Sequence, residues 1–271
     1  MFPSFIQHAV DKAIASLDSS TISDAFEGQY NFAMWKLYTE VYKIIAKNGG
    51  VMFGGCVRDY YDRRCATDAY YSKCRENHMS RRGADLSYND KSVFPGLFDA
   101  RRRLPHDIDV FIDECNVKML YEAIENEGFI LRGYIADKSY LISAIGEAGK
   151  FLEHRKLTLT LKRTPAAEFG SAVSGYRLHK QRIKIDLIIK KTGCTEPIYP
   201  PFGRPDFRCN ALFMSMSECS VFPYIFTRDG VVETEAKDDI IAKRAVLLRS
   251  DVEKHRIEKM VRKGYTTHTS F

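Results

Sequence analysis

Asp107-Ile108-Asp109-Val110-Phe111-Ile112-Asp113 is the stretch whose reading decides the fold class. Polar and apolar side chains alternate along it, which is the period of a half-buried strand. Residues i and i+2 of a strand point to one face, so Asp107 and Asp109 project together into one small volume. Two carboxylates held that close repel unless a cation lies between them, and hard oxygen ligands suit Mg²⁺ or Mn²⁺. A DxD pair also occurs on many solvent-facing strands, so by itself it leaves a metal site and a wet surface both open. A third acid, Asp186, lies inside the apolar run Lys184-Ile185-Asp186-Leu187-Ile188-Ile189. There it either faces water on an open sheet face or shares a site with the first two. Three carboxylates holding two metal ions would clamp the attacking and leaving oxygens of an in-line phosphoryl transfer.

Upstream, Val51-Met52-Phe53, Gly54-Gly55 and Cys56-Val57-Arg58-Asp59-Tyr60-Tyr61 read as strand, tight turn and helix. Glycines there let the backbone approach a ligand closely, and the N–H groups of a helix start suit triphosphate oxygens, although a GG pair also makes a plain turn. Arg58, one turn into the helix, reaches the same phosphates or pairs with Asp59 or an acid of the sheet. Two helices precede this unit, the second over 31–50 with apolar residues at helical spacing and a stop at Gly49-Gly50. After it, residues 65–103 are polar and basic, end in Arg101-Arg102-Arg103, and read as a long loop or insertion.

Downstream, a helix is expected over 117–127 and strands over 129–134, 156–162 and 182–190. A loop rich in Pro and Gly follows over 192–205. Residues 210–216 read as helical, 221–226 as a strand, and 236–249 and 252–263 as two helices. The expected architecture is α+β: a mixed sheet with helices on one side and helical extensions at both ends. It divides into residues 1–50, a core over 51–235, and residues 236–271.

The 271 residues are 45% hydrophobic and 28% charged, the composition of an ordinary globular protein. No apolar run approaches the roughly 18 residues of a membrane span, and the N-terminus lacks a signal-peptide pattern. Seven cysteines, an odd number without CxxC or Cys/His spacing, indicate neither a disulfide framework nor a zinc site, so an intracellular, cytoplasmic setting is expected. Net charge is +6, from 41 Lys and Arg against 35 Asp and Glu. That mean hides a pattern: bases outnumber acids over 58–103, 151–191 and 237–263, around an acidic centre that holds Asp107 and Asp109. Such a layout suits a metal-dependent enzyme acting on phosphates, and solvated surface charge predicts much the same count.

Taken in order, Gly54-Gly55-Cys56-Val57-Arg58-Asp59, Asp107-Ile108-Asp109-Val110, Asp186, and Arg204-Pro205-Asp206-Phe207-Arg208-Cys209-Asn210-Ala211-Leu212 resemble the motifs of the polymerase-β-like nucleotidyltransferase superfamily. The branch resembled is the class II tRNA nucleotidyltransferases (CCA-adding enzymes) and bacterial poly(A) polymerases, over about residues 50–215. The resemblance implies that Asp107, Asp109 and Asp186 carry the catalytic Mg²⁺ or Mn²⁺. It further implies that Gly54, Gly55, Arg58 and Asp59 serve the nucleoside triphosphate, expected to be ATP, and that Arg204, Asp206 and Asn210 contact nucleotide or order the covering loop. The reaction implied is attack of an acceptor hydroxyl, an RNA 3′ end above all, on the α-phosphate with loss of pyrophosphate.

Departures from the pattern accompany the matches. The spacer between Asp59 and Asp107 is long, and Pro205 and Arg208 stand where the family has Arg and Thr. Lys237-Asp238-Asp239-Ile240-Ile241-Ala242-Lys243-Arg244 is a loose counterpart of the family's base-reading helix, but an amphipathic surface helix with i,i+4 pairs is the preferred reading. The length leaves no room for the family's tRNA-gripping body, as in a compact core of viral or mobile-element type. Three readings stay open: transfer to RNA, nucleotidylation of a protein or small-molecule hydroxyl, and a non-catalytic binding protein on the same fold.

Overall fold

The computed structural model describes residues 34–35, 37–65, 105–137, 139–162, 182–194, 198–200, 205–216, 224–228 and 230–269. The first expected helix, most of the basic stretch 65–103, and Arg204 lie outside them. Seven strands form one sheet: β1 (Val51–Phe53), β2 (Ile108–Asp113), β3 (Phe129–Ile135), β4 (Leu152–Leu161), β5 (Ile183–Lys190), β6 (Leu212–Ser215) and β7 (Tyr224–Thr227). Their order is β3-β4-β5-β2-β1-β6-β7. β2 and β5 run parallel and every other neighbouring pair is antiparallel, so the sheet is mixed, as the patterning implies.

Among the described residues the helices are α1 (37–47), α2 (55–65), α3 (Glu114–Asn126), α4 (Ser139–Ile145), α5 (Glu233–Ile241) and α6 (Lys254–Arg262). Alternation along the strands sorts the side chains by face. Ile108, Val110 and Ile112 of β2, and Ile183, Ile185, Leu187 and Ile189 of β5, enter the main core. There they meet Val41, Tyr42 and Ile45 of α1, Leu120 and Ile124 of α3, and Ala236 and Ile240 of α5. Among the described residues the opposite face carries a smaller apolar cluster, Phe111, Leu141, Leu152, Ile188 and Ile198, so α4 packs on that side and the helices are not all on one side as expected. α1 stops where Gly49, at φ 77°, donates to Ala46 O (3.2 Å) and Gly50 donates to Ile45 O (2.9 Å), a Schellman closure that sends the chain straight into β1.

Two stretches differ from their sequence reading. Residues 210–216 are a 3₁₀ turn (Arg208–Asn210) followed by β6, in which Leu212, Phe213 and Met214 are all buried. A short apolar run buried on both faces lacks the periodicity that separates strand from helix. Residues 236–249 are not one helix either. α5 ends at Ile241, Lys243 takes a left-handed turn at φ 54°, and β8 (Arg244–Leu247) pairs in parallel with β9 (Thr266–Thr269), with α6 between them. Ala245, Met260 and Tyr265 join the main core, so the C-terminal segment is packed into the same interior as the sheet.

Candidate active site

Asp109 and Asp186 are register partners across the parallel β2–β5 pair. Their strand neighbours Ile108, Val110, Ile185 and Leu187 are buried in the main core, so both carboxylates stand on the opposite face, the side of Phe111 and Ile188. Asp107 sits just ahead of β2, two residues from Asp109. Burial pushes the Asp109 carboxyl up to about 7, and the charges of Asp107 and Asp186 push the same way. Lys259 and Arg256 of α6 act against that rise. Asp186 moves oppositely, below the usual carboxylate range, chiefly through His154. His154 Nε2 stands 3.9 Å from Asp186 Oδ1, its Nδ1 lies 3.3 Å from Asp137 O, and its own pKa is raised by Asp186. Lys156 is the register partner of Asp186 on the other side and also favours its charged form. Two adjacent carboxyls thus divide their roles, one ionised and one holding its proton near neutrality.

The β1–α2 turn lies against this pair. Gly54, at φ 74°, donates its N–H to Leu212 O at 3.0 Å, and a Cβ placed on it would meet Asp109 Oδ2 at 3.7 Å. Gly55 opens α2 with free space on its Cα side up to Arg58 Nη2 at 3.7 Å. The backbone at Gly54, just ahead of α2, therefore runs beside the Asp109 carboxylate.

Arg58, Asp59, Asp206 and Asn210 form a joint behind that turn. Arg58 is 2% exposed. Its guanidinium donates to Asp59 Oδ1 (2.8 and 2.6 Å), to Asn210 Oδ1 (2.6 Å) and to Met260 Sδ (3.0 Å), and lies 5.5 Å from the centre of the Tyr265 ring. Asp59 also takes Lys263 Nζ at 2.6 Å. Asp206 accepts from Arg249 at 3.0 Å and from Arg256. These four residues, read as nucleotide contacts, are engaged inside the protein, where they lock α2, the 205–210 segment and α6 together. Arg208 is bound to the fully buried Asp239 at 2.7 Å and to Glu235, and Asp239 also takes Arg244 at 3.1 Å. Asp239 is thus an interior anchor, unlike the surface-helix residue that the i,i+4 reading expected.

Among the described residues no three His, Cys, Asp or Glu side chains lie close enough together to hold a metal ion. The expected convergence of Asp107, Asp109 and Asp186 into a three-carboxylate cage is therefore not present. The donor chemistry of Asp109 and Asp186 nonetheless suits Mg²⁺ or Mn²⁺: both offer hard carboxylate oxygens, and a dication would offset the charges of Asp107 and Asp186 that add to burial in weakening Asp109's acidity. His154, Arg256, Lys259 and Lys263 were not singled out from sequence. Their only signals were a histidine in the alternating strand 152–161 and basic residues at i, i+3 and i+7 of one helix. Neither models of protein families, nor curated protein sequences, nor solved structures give a significant match to this chain.

Proposed function

We propose that this chain is a metal-dependent nucleotidyltransferase. It moves a nucleoside monophosphate from a nucleoside triphosphate, with ATP the expected donor, to an acceptor hydroxyl, an RNA 3′ end foremost. The acceptor oxygen bonds to the α-phosphorus, the α–β bridging bond breaks, and pyrophosphate leaves. The observation that carries this reading is the register pairing of Asp109 with Asp186 on one sheet face, beside the positive-φ Gly54 turn. Asp109 and Asp186, with Asp107 alongside, would hold Mg²⁺ or Mn²⁺, which supplies charge neutralisation at the reacting phosphate. Asp186, which His154 and Lys156 keep ionised, would help to activate the acceptor hydroxyl by holding the metal beside it, the hydroxyl's proton passing to water. The start of α2 offers backbone N–H groups to triphosphate oxygens. Arg58, Asp59, Asp206 and Asn210 position that turn from behind.

Incubating the protein with Mg²⁺ or Mn²⁺, each labelled NTP and an RNA pool tests the reading. Label should enter RNA, and Asp109→Asn and Asp186→Asn should each abolish it. Label entering protein or a small molecule instead would establish the second acceptor class. The internal pairing of Arg58, Asp59, Asp206 and Asn210 favours one further reading, a binding protein that has lost catalysis. Calorimetric titration separates it, since that reading predicts no Mg²⁺-dependent binding of ATP.

A further inference from the structure

One row of side chains crosses the carboxylate face of the sheet in register. Lys156 pairs with Asp186 and Asp186 with Asp109. Val51 pairs with Phe111 and Met52 with Val110, a register that brings Phe53 alongside Asp109. Phe53 then pairs with Phe213, and Phe213 with Phe226. The rings are stacked, with centroids 6.4 Å apart for Phe53 and Phe213 and 5.4 Å apart for Phe213 and Phe226. Tyr224 follows at 5.4 Å from Phe226. An aromatic strip therefore starts at the carboxylates and runs to the β7 edge, three strand spacings or about 14 Å away.

Packing alone accounts for the inner rings but not for the outer end. Tyr224 is 48% exposed and Tyr199, which lies 6.4 Å from Phe111, is 53% exposed. The Arg228 guanidinium lies over Tyr199 at 4.2 Å and within 5.6 Å of the centroids of Phe213 and Phe226. No described carboxylate pairs with it. Half-exposed rings interleaved with an arginine are what single-stranded nucleic acid uses: every base has a face that stacks on an aromatic ring, and each linkage brings a phosphate for a cation. A duplex, whose bases are already stacked, cannot use such a strip.

We propose that this strip binds the 3′-terminal segment of a single-stranded RNA acceptor. Bases stack on Tyr224 and Tyr199, Arg228 takes a phosphate, and the terminal hydroxyl reaches Asp109 and Asp186; this last placement rests on the transferase reading above. The test is binding of a 5′-fluorescein-labelled short oligoribonucleotide to the full chain, followed by anisotropy without NTP. Tyr224→Ala and Arg228→Ala should each weaken single-strand binding about 5- to 100-fold. Tyr224→Phe should restore it, because the ring is what binds. Tyr134→Ala, at the opposite edge of the sheet, should leave it unchanged, and a blunt duplex should bind more weakly. Single-strand binding that ignores Tyr224→Ala and Arg228→Ala, falls equally in Tyr134→Ala, or is absent from the wild type overturns the proposal. A strip that binds RNA in a protein transferring no nucleotide would sink the transferase reading alone. Transfer with the same KM for RNA in the wild type and Tyr224→Ala would sink the strip alone.

Discussion

Arg58 Nη1 donates to Asn210 Oδ1 at 2.6 Å across 152 positions of sequence. With Asp59 on the same guanidinium and Lys263 on Asp59, the bond ties the β1–α2 turn to the segment before β6 and to α6. Arg58→Ala should lower the free energy of unfolding by about 3–5 kcal/mol, the scale for removing one partner of a buried charged pair. Asn210→Ala, which leaves Arg58 its other acceptors, should cost about 1–3 kcal/mol. Urea unfolding measures both. An Arg58→Ala protein as stable as wild type would show that the guanidinium does not act as a joint.

The proton balance of Asp109 gives a pH dependence with a definite sign. Its pKa is raised from 3.8 to about 7, so the folded state binds this proton more tightly than the unfolded chain does. The stabilisation is complete below about pH 4, declines as pH rises, and is gone above about pH 7. Asp109→Asn cannot ionise, so its stability relative to wild type should climb between about pH 4 and 7 and then level off. Under the metal-site reading, Mg²⁺ should raise the wild-type midpoint at about pH 8, more than at about pH 5, and leave Asp109→Asn unmoved. Stability curves that stay parallel across the whole range would mean the carboxyl is not raised.

The strands that carry the acids were legible because each has one buried face: the Ile and Val alternation of 108–112 and 183–189 fixes both the strand and the side to which Asp109 and Asp186 point. β6 and β8 were not legible, because Leu212-Phe213-Met214 and Ala245-Val246 are buried as runs without alternation. Motif order suggested Arg58, Asp59, Asp206 and Asn210 as nucleotide contacts. It could not show that Arg58 pairs with Asp59 and Asn210 while Asp206 pairs with Arg249 and Arg256, since a guanidinium's partners depend on which distant segments the fold brings alongside. The aromatic strip was invisible for a related reason: Phe53, Phe213 and Phe226 lie on three strands, and only strand register makes them a row.

Asp239 offers a second stability test, away from the carboxylates. It is 0% exposed, and its two oxygens receive Arg208 (2.7 and 3.1 Å) and Arg244 (3.1 Å). Asp239→Ala would leave two arginines facing each other across an empty position. Both retain contact with water, so the loss should fall near 2–3 kcal/mol, below that of a fully buried pair. A double-mutant cycle with Arg208→Ala should return a coupling of about 1–3 kcal/mol in denaturant unfolding. A coupling near zero would show that the pair is geometric only.

Gly54 and Gly55 separate a backbone requirement from a ligand requirement. Gly54 has φ 74°, so Gly54→Ala should cost about 1–2 kcal/mol of stability through backbone strain, although the new methyl would meet only Asp109 Oδ2 at 3.7 Å. Gly55 has no such conformation, and a Cβ there would touch Arg58 Nη2 at an ordinary 3.7 Å. Gly55→Ala should therefore unfold within about 0.5 kcal/mol of wild type. If triphosphate oxygens approach the start of α2 as proposed, that same methyl stands in their path, and nucleotide transfer should fall at least about tenfold through a raised KM for NTP. Thermal melts and steady-state kinetics on the two single variants give the answer together. A Gly55→Ala protein with wild-type stability and wild-type KM would exclude close approach of any ligand to this turn, and the phosphate-binding part of the proposal would fall with it.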